Sequence, residues 1–173
     1  MQVFKTLDTQ PKAYKLRIHM RTIILYSSKS GNTKKIADSM ASQISCNAIR
    51  ITSSSNPLTV DLDAYDLVLV GTGLFAGTPN EDIMRYLGNL TLKTTKMFAL
   101  FITWGGAPRT DKLALTRLRR LLESKGQIVL EQHFACYGGW KGVLMKRGHP
   151  KAEEIKAAGE WAKKLVDSLE KSS

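Results

Sequence analysis

The chain has 173 residues, with 26 Lys and Arg against 15 Asp and Glu, a formal net charge of +11. At 43% hydrophobic and 24% charged residues it has material for one sizeable core, which excludes a disordered polycation, and its length suits one ordinary domain. No run approaches the roughly 20 apolar residues of a membrane span and no short apolar segment follows the start, so a cytoplasmic protein is expected.

Residues 1–19 carry Lys5, Lys12, Lys15 and Arg17 against a single Asp8, show neither helical nor strand periodicity, and read as an extension. Met20 is then a natural start for a single domain over 20–173. Thr22 to Ser27 (TIILYS) begins that domain as an unbroken apolar strand. Ile36, Ala37, Met40, Ala41 and Ile44 recur at helical spacing, which predicts an amphipathic helix from about Thr33 to Ser45. A short strand over Ala48 to Thr52 follows, and then a polar loop, Ser53 to Asp63, which holds Asn56-Pro57.

Asp66 to Gly71 and Met97 to Thr103 are two further unbroken apolar strands. Between them Pro79 marks a first helical turn, and Ile83, Met84 and Leu87 form an apolar stripe. Thr110 or Asp111 can cap a helix to Ser124, with Leu113, Leu118, Leu121 and Leu122 inward and Gly126 ending it. Gln127 to Tyr137 alternates Ile128, Leu130, Phe134 and Cys136 against Glu131 and His133, as suits an edge strand with one wet face. Pro150 opens a last helix whose inward stripe is Ile155, Ala158, Ala162, Leu165, Val166 and Leu169.

Strands and helices therefore alternate, and at least three strands are apolar on both faces, the pattern of a parallel sheet covered on both sides. The fold class is α/β: a three-layer, doubly wound, five-stranded parallel sheet. Right-handed crossovers put every loop that follows a strand on one edge, where ligands bind.

That rule directs attention to Ser27-Ser28-Lys29-Ser30-Gly31-Asn32-Thr33, between the first strand and its helix. N–H groups at a helix N-terminus lack helical acceptors and favour an anion, and the hydroxyls of Ser28, Ser30 and Thr33 add donors. A helix cap needs only one such residue. The loop is built to hold a phosphate, and it is not a Walker A motif, because Gly31 is followed by Asn-Thr-Lys and has no partner glycine upstream.

Leu25 to Thr33, with Ile36-Ala37 close behind, resembles the flavodoxin phosphate-loop signature. Tyr65 to Pro79 resembles the third strand and first flavin loop of that family, and Phe101 to Gly106 its fourth strand and second flavin loop. The resemblance runs from about Arg21 to Leu169. It implies strand order 2-1-3-4-5 and the cofactor FMN, with Ser28, Ser30, Asn32 and Thr33 and the backbone of Lys29 and Gly31 around the phosphate. Lys29 either adds charge beside the phosphate or is simply solvated.

The same resemblance implies that Thr72, Gly73, Leu74, Phe75 and Gly77 line one edge of the flavin, where a peptide flip would tune the one-electron step. Phe75 is either a stacking ring or core. Thr103, Trp104, Gly105 and Gly106 would hold the pyrimidine end, with Trp104 over the other face or the dimethylbenzene edge. Ala107-Pro108-Arg109 stand where the family carries an aromatic and acidic residues, which leaves the second stacking ring unassigned.

No catalytic set emerges elsewhere. Cys46 and Cys136 lie far apart with no C-x-x-C and no histidine pair, which argues against a metal cluster or disulfide framework. His133 and His149 have no obvious carboxylate partner, Cys136 reads as a packed thiol, and Trp140 is a further ring near the ligand edge.

The resemblance implies an electron carrier between a reductase and an acceptor; the alternative is an FMN-dependent NAD(P)H or quinone oxidoreductase on the same fold. A receiver domain would place an Asp at the end of the third strand, where Gly71 and Thr72 stand. A nucleic-acid binder would interleave aromatics with its basic residues, whereas Arg109, Lys112, Arg117, Arg119, Arg120 and Lys125 cluster around one leucine-rich helix. Without residues 1–19 the count is 22 basic against 14 acidic, still +8. Familiar flavodoxins are acidic, so the charge points to redox protein partners with acidic surfaces.

Overall fold

A computed structural model of the chain describes residues 19–105, 108–138 and 148–172. The extension up to residue 18, Gly106 and Trp140 lie outside the described residues. The strands are β1 (Thr22–Ser27), β2 (Asn47–Arg50), β3 (Leu67–Phe75), β4 (Thr78–Pro79), β5 (Met97–Trp104) and β6 (Ile128–Tyr137). The helices are α1 (Asn32–Ile44), α2 (Glu81–Gly88), α3 (Thr110–Glu123) and α4 (Ala152–Ser172). No described helix is long and apolar enough to cross a membrane.

The five long strands pair in parallel in the order β2-β1-β3-β5-β6, which is the expected 2-1-3-4-5 order with one short strand added. That addition is β4, which folds back antiparallel on the end of β3. Successive residues of a strand face opposite sides of the sheet, so an unbroken apolar run feeds two cores at once. Ile23, Leu25, Val68, Val70, Leu100 and Ile102 face α2 and α3. Ile24, Tyr26, Leu67, Leu69, Ala99 and Phe101 face α1 and α4.

Two glycines set the packing on the second face. A Cβ on Gly71 would lie 2.0 Å from Phe101 Cζ, so the ring occupies the space a side chain would need. A Cβ on Gly159 would lie 2.6 Å from Gln43 Cγ, which lets α4 come close enough to α1 for Ser39 Oγ to donate to the Ile155 carbonyl at 2.7 Å.

Four local expectations need correction. Pro79 belongs to β4, and Asn80 caps α2 instead, its Oδ1 accepting from Asp82 N–H at 2.9 Å. At α3 neither Thr110 nor Asp111 is the cap; Arg109 holds that position at φ 74°, without a side-chain cap bond. Leu113 does not turn inward: it is 69% exposed, while Ala114 and Leu115 join Leu118 and Leu122 in the core. Ile128, the first residue of the edge strand, is 53% exposed. Leu130, Phe134 and Cys136 do pack inward as the alternation requires.

Candidate functional site

Register brings the strand exits together. Ser27 pairs with Thr72, Gly73 with Thr103, and Trp104 with Tyr137, so β1, β3, β5 and β6 all end at one edge of the sheet. The chain leaves β1 through Ser28, whose hydroxyl accepts from Gly31 N–H at 3.1 Å. Gly31, at φ 85°, then turns the backbone into α1, where Lys35 N–H reaches the Gly31 carbonyl at 3.1 Å. The N–H groups before Lys35 have no helical acceptor and point out of the helix end. From β2, Arg50 donates to the Ser28 carbonyl at 2.8 Å and holds the loop from outside.

Several hydroxyls in this region are buried, among them those of Ser27, Thr33 and Thr103. Thr33 Oγ1 lies 2.8 Å from Thr103 Oγ1, a bond between the first turn of α1 and the end of β5. A Cβ on Gly73 would stand 3.1 Å from Thr33 Oγ1 and 3.6 Å from Thr103 Oγ1, so a glycine in β3 lets the two threonines meet. Ser27 Oγ is buried with no hydrogen-bond partner among the described residues.

The glycine-rich segment after Gly71 is not a loose loop. β3 continues to Phe75, turns through Ala76 (φ 48°) and Gly77 (φ 77°), and returns as β4. Two central residues with positive φ are the signature of a type I′ hairpin turn, whose twist matches the strands. Thr72 Oγ1 accepts from Asn80 N–H at 3.0 Å and closes the base of the hairpin, while Thr78 Oγ1 donates to the Phe75 carbonyl at 2.9 Å. Leu74 is partly buried against the α2–α3 core. Phe75 is not core: it is 58% exposed, and the Lys29 ammonium sits 5.4 Å from its ring centroid.

At the other wall a Cβ on Gly105 would strike the Gly138 carbonyl at 2.8 Å, and Gly138 N–H donates to the Trp104 carbonyl at 2.8 Å. A Cβ on Gly138 would stand 3.2 Å from Thr103 Cβ and 3.5 Å from Asn32 Nδ2. Three exits, after β1, β5 and β6, thus converge within contact distance. Trp104 packs on Tyr137 with ring centroids 5.2 Å apart, and Tyr137 meets the edge of His149 at 5.7 Å.

His149 does have a carboxylate partner. Its Nδ1 lies 2.6 Å from Glu154 Oε2, which also accepts from Lys151 N–H at 2.7 Å, while Glu154 Oε1 receives Tyr137 N–H at 3.4 Å. Burial pushes the Glu154 carboxyl up, but these donors outweigh it and hold it below the ordinary glutamate range. Burial, with Glu154 nearby, pushes the Cys136 thiol up to about 12, the behaviour of a packed and unreactive cysteine.

The donor set fits a ligand with an anionic phosphate and a planar ring. Hydroxyls and helix-end N–H groups gather at β1, and an orphan Ser27 hydroxyl lies beneath them. Thr33, Thr103 and Asn32 fill the notches left by Gly73 and Gly138 and draw the strand exits together, and the Phe75 and Trp104 rings stand at the ends of β3 and β5. Sequence reasoning placed Ser28 to Thr33, Thr72 to Gly77 and Thr103 to Gly105 at one edge, as found. It put Tyr137 and the Gly138-Gly139 loop at the same edge without giving Gly138 a role, and it missed the pairing of His149 with Glu154.

These features define a doubly wound α/β protein with a hydroxyl-rich polar loop between its first strand and first helix. Residues 23–163 match the family model described as a flavodoxin domain, and the chain belongs to the flavodoxin family. An uncharacterized protein of Methanocaldococcus jannaschii is 33% identical over 155 residues, 85% of this chain and 99% of the relative. Among solved structures, flavodoxin 1 of Bacillus cereus is similar with a TM-score of 0.66 at 20% identity, covering 84% of this chain and 97% of its own. A flavoprotein of Lactobacillus acidophilus in complex with FMN has a TM-score of 0.52 at 22% identity, over 67% of this chain and 92% of its own.

Proposed function

We propose that the domain from Met20 onward binds FMN at the common exit edge and serves as an electron carrier between a reductase and an acceptor. The observation that carries the reading is the Thr33–Thr103 contact across the notch left by Gly73, which ties the anion-binding loop to the end of β5. Family membership and the FMN complex of the Lactobacillus acidophilus protein support FMN as the flavin.

Ser28, Ser30, Asn32 and Thr33, with the N–H groups of Lys29 and Gly31, hold the phosphate. Thr72 to Gly77 present backbone groups and the Phe75 ring to one side of the flavin, and Thr103 to Gly106 hold the other. When bound, FMN supplies one- and two-electron transfer, and the chain orients it and sets its electrostatic surroundings. The net charge of +11 favours partners with acidic surfaces over nucleic acid, since the motifs of this chain belong to flavin binding.

The test is the absorption spectrum of the purified protein before and after addition of FMN. Flavin bands that stay with the protein through gel filtration are expected, and a colourless protein that takes up no FMN overturns the reading. Steady-state NADPH oxidation with quinone and no added reductase is expected to be slow. Fast turnover would make the protein a reductase in its own right.

A further inference from the structure

The six basic residues around α3 divide into two groups. Arg119 donates to the Val129 and Leu130 carbonyls at 2.7 Å each, and Lys125 donates to the Leu90 carbonyl at 3.0 Å, so both are committed to holding the helix against β6 and the loop after α2. Arg109, Lys112, Arg117 and Arg120 are exposed and make no ion pair among the described residues. Positions 109, 112, 113, 116, 117 and 120 fall on one side of a helix, opposite the buried Ala114, Leu115, Leu118 and Leu122. From Arg109 to Arg120 that side holds four cations, Leu113 and Thr116, and the carboxylate that follows on it, Glu123, is 3.6 Å from Arg119. On α1 and α4, by contrast, Lys34 pairs with Asp38 and Lys156 with Glu160.

The stripe begins at the flavin edge. A Cβ on Gly77, at the tip of the hairpin, would stand 3.1 Å from Thr110 Cγ2, so the N-terminus of α3 packs on the hairpin that presents Phe75. Phe75 and Leu113 are two of the four large apolar side chains that stand more than half exposed among the described residues. An apolar centre beside a run of like charge is the composition of a docking patch for an oppositely charged protein.

We propose that the outer face of α3, Arg109 to Arg120 with Leu113 at its centre, is the docking surface for an acidic redox protein, which meets the cofactor edge beside Phe75. The proposal rests on the electron-carrier reading. The cations steer the encounter from a distance and Leu113 supplies the desolvated contact. Nucleic acid is disfavoured as occupant because the stripe carries an aliphatic side chain where a base would need an aromatic one.

The experiment uses the full FMN-loaded chain, photoreduced and mixed in stopped flow with two haem proteins of opposite charge, acidic cytochrome b5 and basic cytochrome c, and with a neutral quinone. The variants are Lys112→Glu/Arg117→Glu/Arg120→Glu, Leu113→Ser, and a control on another helix, Lys163→Glu/Lys164→Glu. The wild type is expected to react about tenfold faster with the acidic protein at low salt, an advantage that fades as salt rises. The triple reversal is expected to invert the order, Leu113→Ser to slow the acidic partner severalfold without altering its salt dependence, and the α4 control to change neither rate. Quinone rates that stay equal in all variants show the flavin intact.

Equal effects of the α3 and α4 reversals, or rates that ignore the α3 reversal, overturn the docking surface alone. Duplex DNA binding that the α3 reversal abolishes while the haem rates stay unchanged overturns it in favour of nucleic acid. A wild-type chain that takes up no FMN overturns the carrier reading and the docking surface together.

Discussion

The loop after β1 and the wall formed by the exits of β5 and β6 lie side by side, yet they are held by different means. The turn of the first is set by local bonds, Ser28 accepting from Gly31 three residues away and Gly31 starting the first turn of α1, with Arg50 and Thr103 gripping it from outside. The second is assembled from distant pieces, with Thr33 on Thr103, Gly138 on Trp104, and Glu154 reaching back from α4 to Tyr137 and His149. A locally built loop is formed whenever its helix is formed. A wall built from remote parts exists only when the whole sheet is in register, so it should be the first part of the site to loosen.

The difference can be broken most severely at Gly73. A branched side chain there would press on Thr33 Oγ1 and part the two threonines, so Gly73→Val is expected to lower FMN affinity by roughly 100-fold in a fluorescence titration, with the chain still folded by circular dichroism. Thr33→Val removes one hydroxyl and leaves the buried Thr103 hydroxyl unsatisfied. The expected cost is about 1–3 kcal/mol of stability in urea unfolding, together with weaker FMN binding.

Glu154→Gln tests the remote wall. Its carboxyl is held below the ordinary glutamate range in the folded state, so its contribution is present above that range and is lost as pH falls through the lowered folded value. The variant is expected to lose about 1 kcal/mol near neutral pH and to show a shallower acid limb in unfolding below about pH 5, where glutamates titrate. An unchanged acid limb would remove Glu154 as the anchor of the wall. The smallest effect is expected at the hairpin tip: Ala76 holds φ 48°, which glycine adopts without strain, so Ala76→Gly should be neutral or stabilising by up to about 1 kcal/mol.

The same division explains what could be read in advance. The parallel sheet covered on both sides and the polar loop at its edge follow from patterns carried by neighbouring residues, the apolar runs of β1, β3 and β5 and the stretch from Ser27 to Thr33, whereas the strand order is what the resemblance to flavodoxins implies. Pro79 misled because a proline fits a first helical turn as well as the outer strand of a hairpin, and only the Ala76-Gly77 turn decides between them. Leu113 misled because a helix with six leucine or alanine positions has more apolar residues than its inner face holds, and the surplus stands on the outer face. The pairing of His149 with Glu154 depends on where α4 begins relative to the end of β6, a distance in space that no local pattern encodes.

The central claim is that the exit of β1 holds the phosphate of FMN, and titration of the purified chain with FMN and with riboflavin, which lacks the phosphate, tests it most directly. Two or more hydrogen bonds to a charged phosphate predict that FMN binds at least about 100-fold more tightly. Equal affinity for the two flavins, or uptake of neither, would contradict the account.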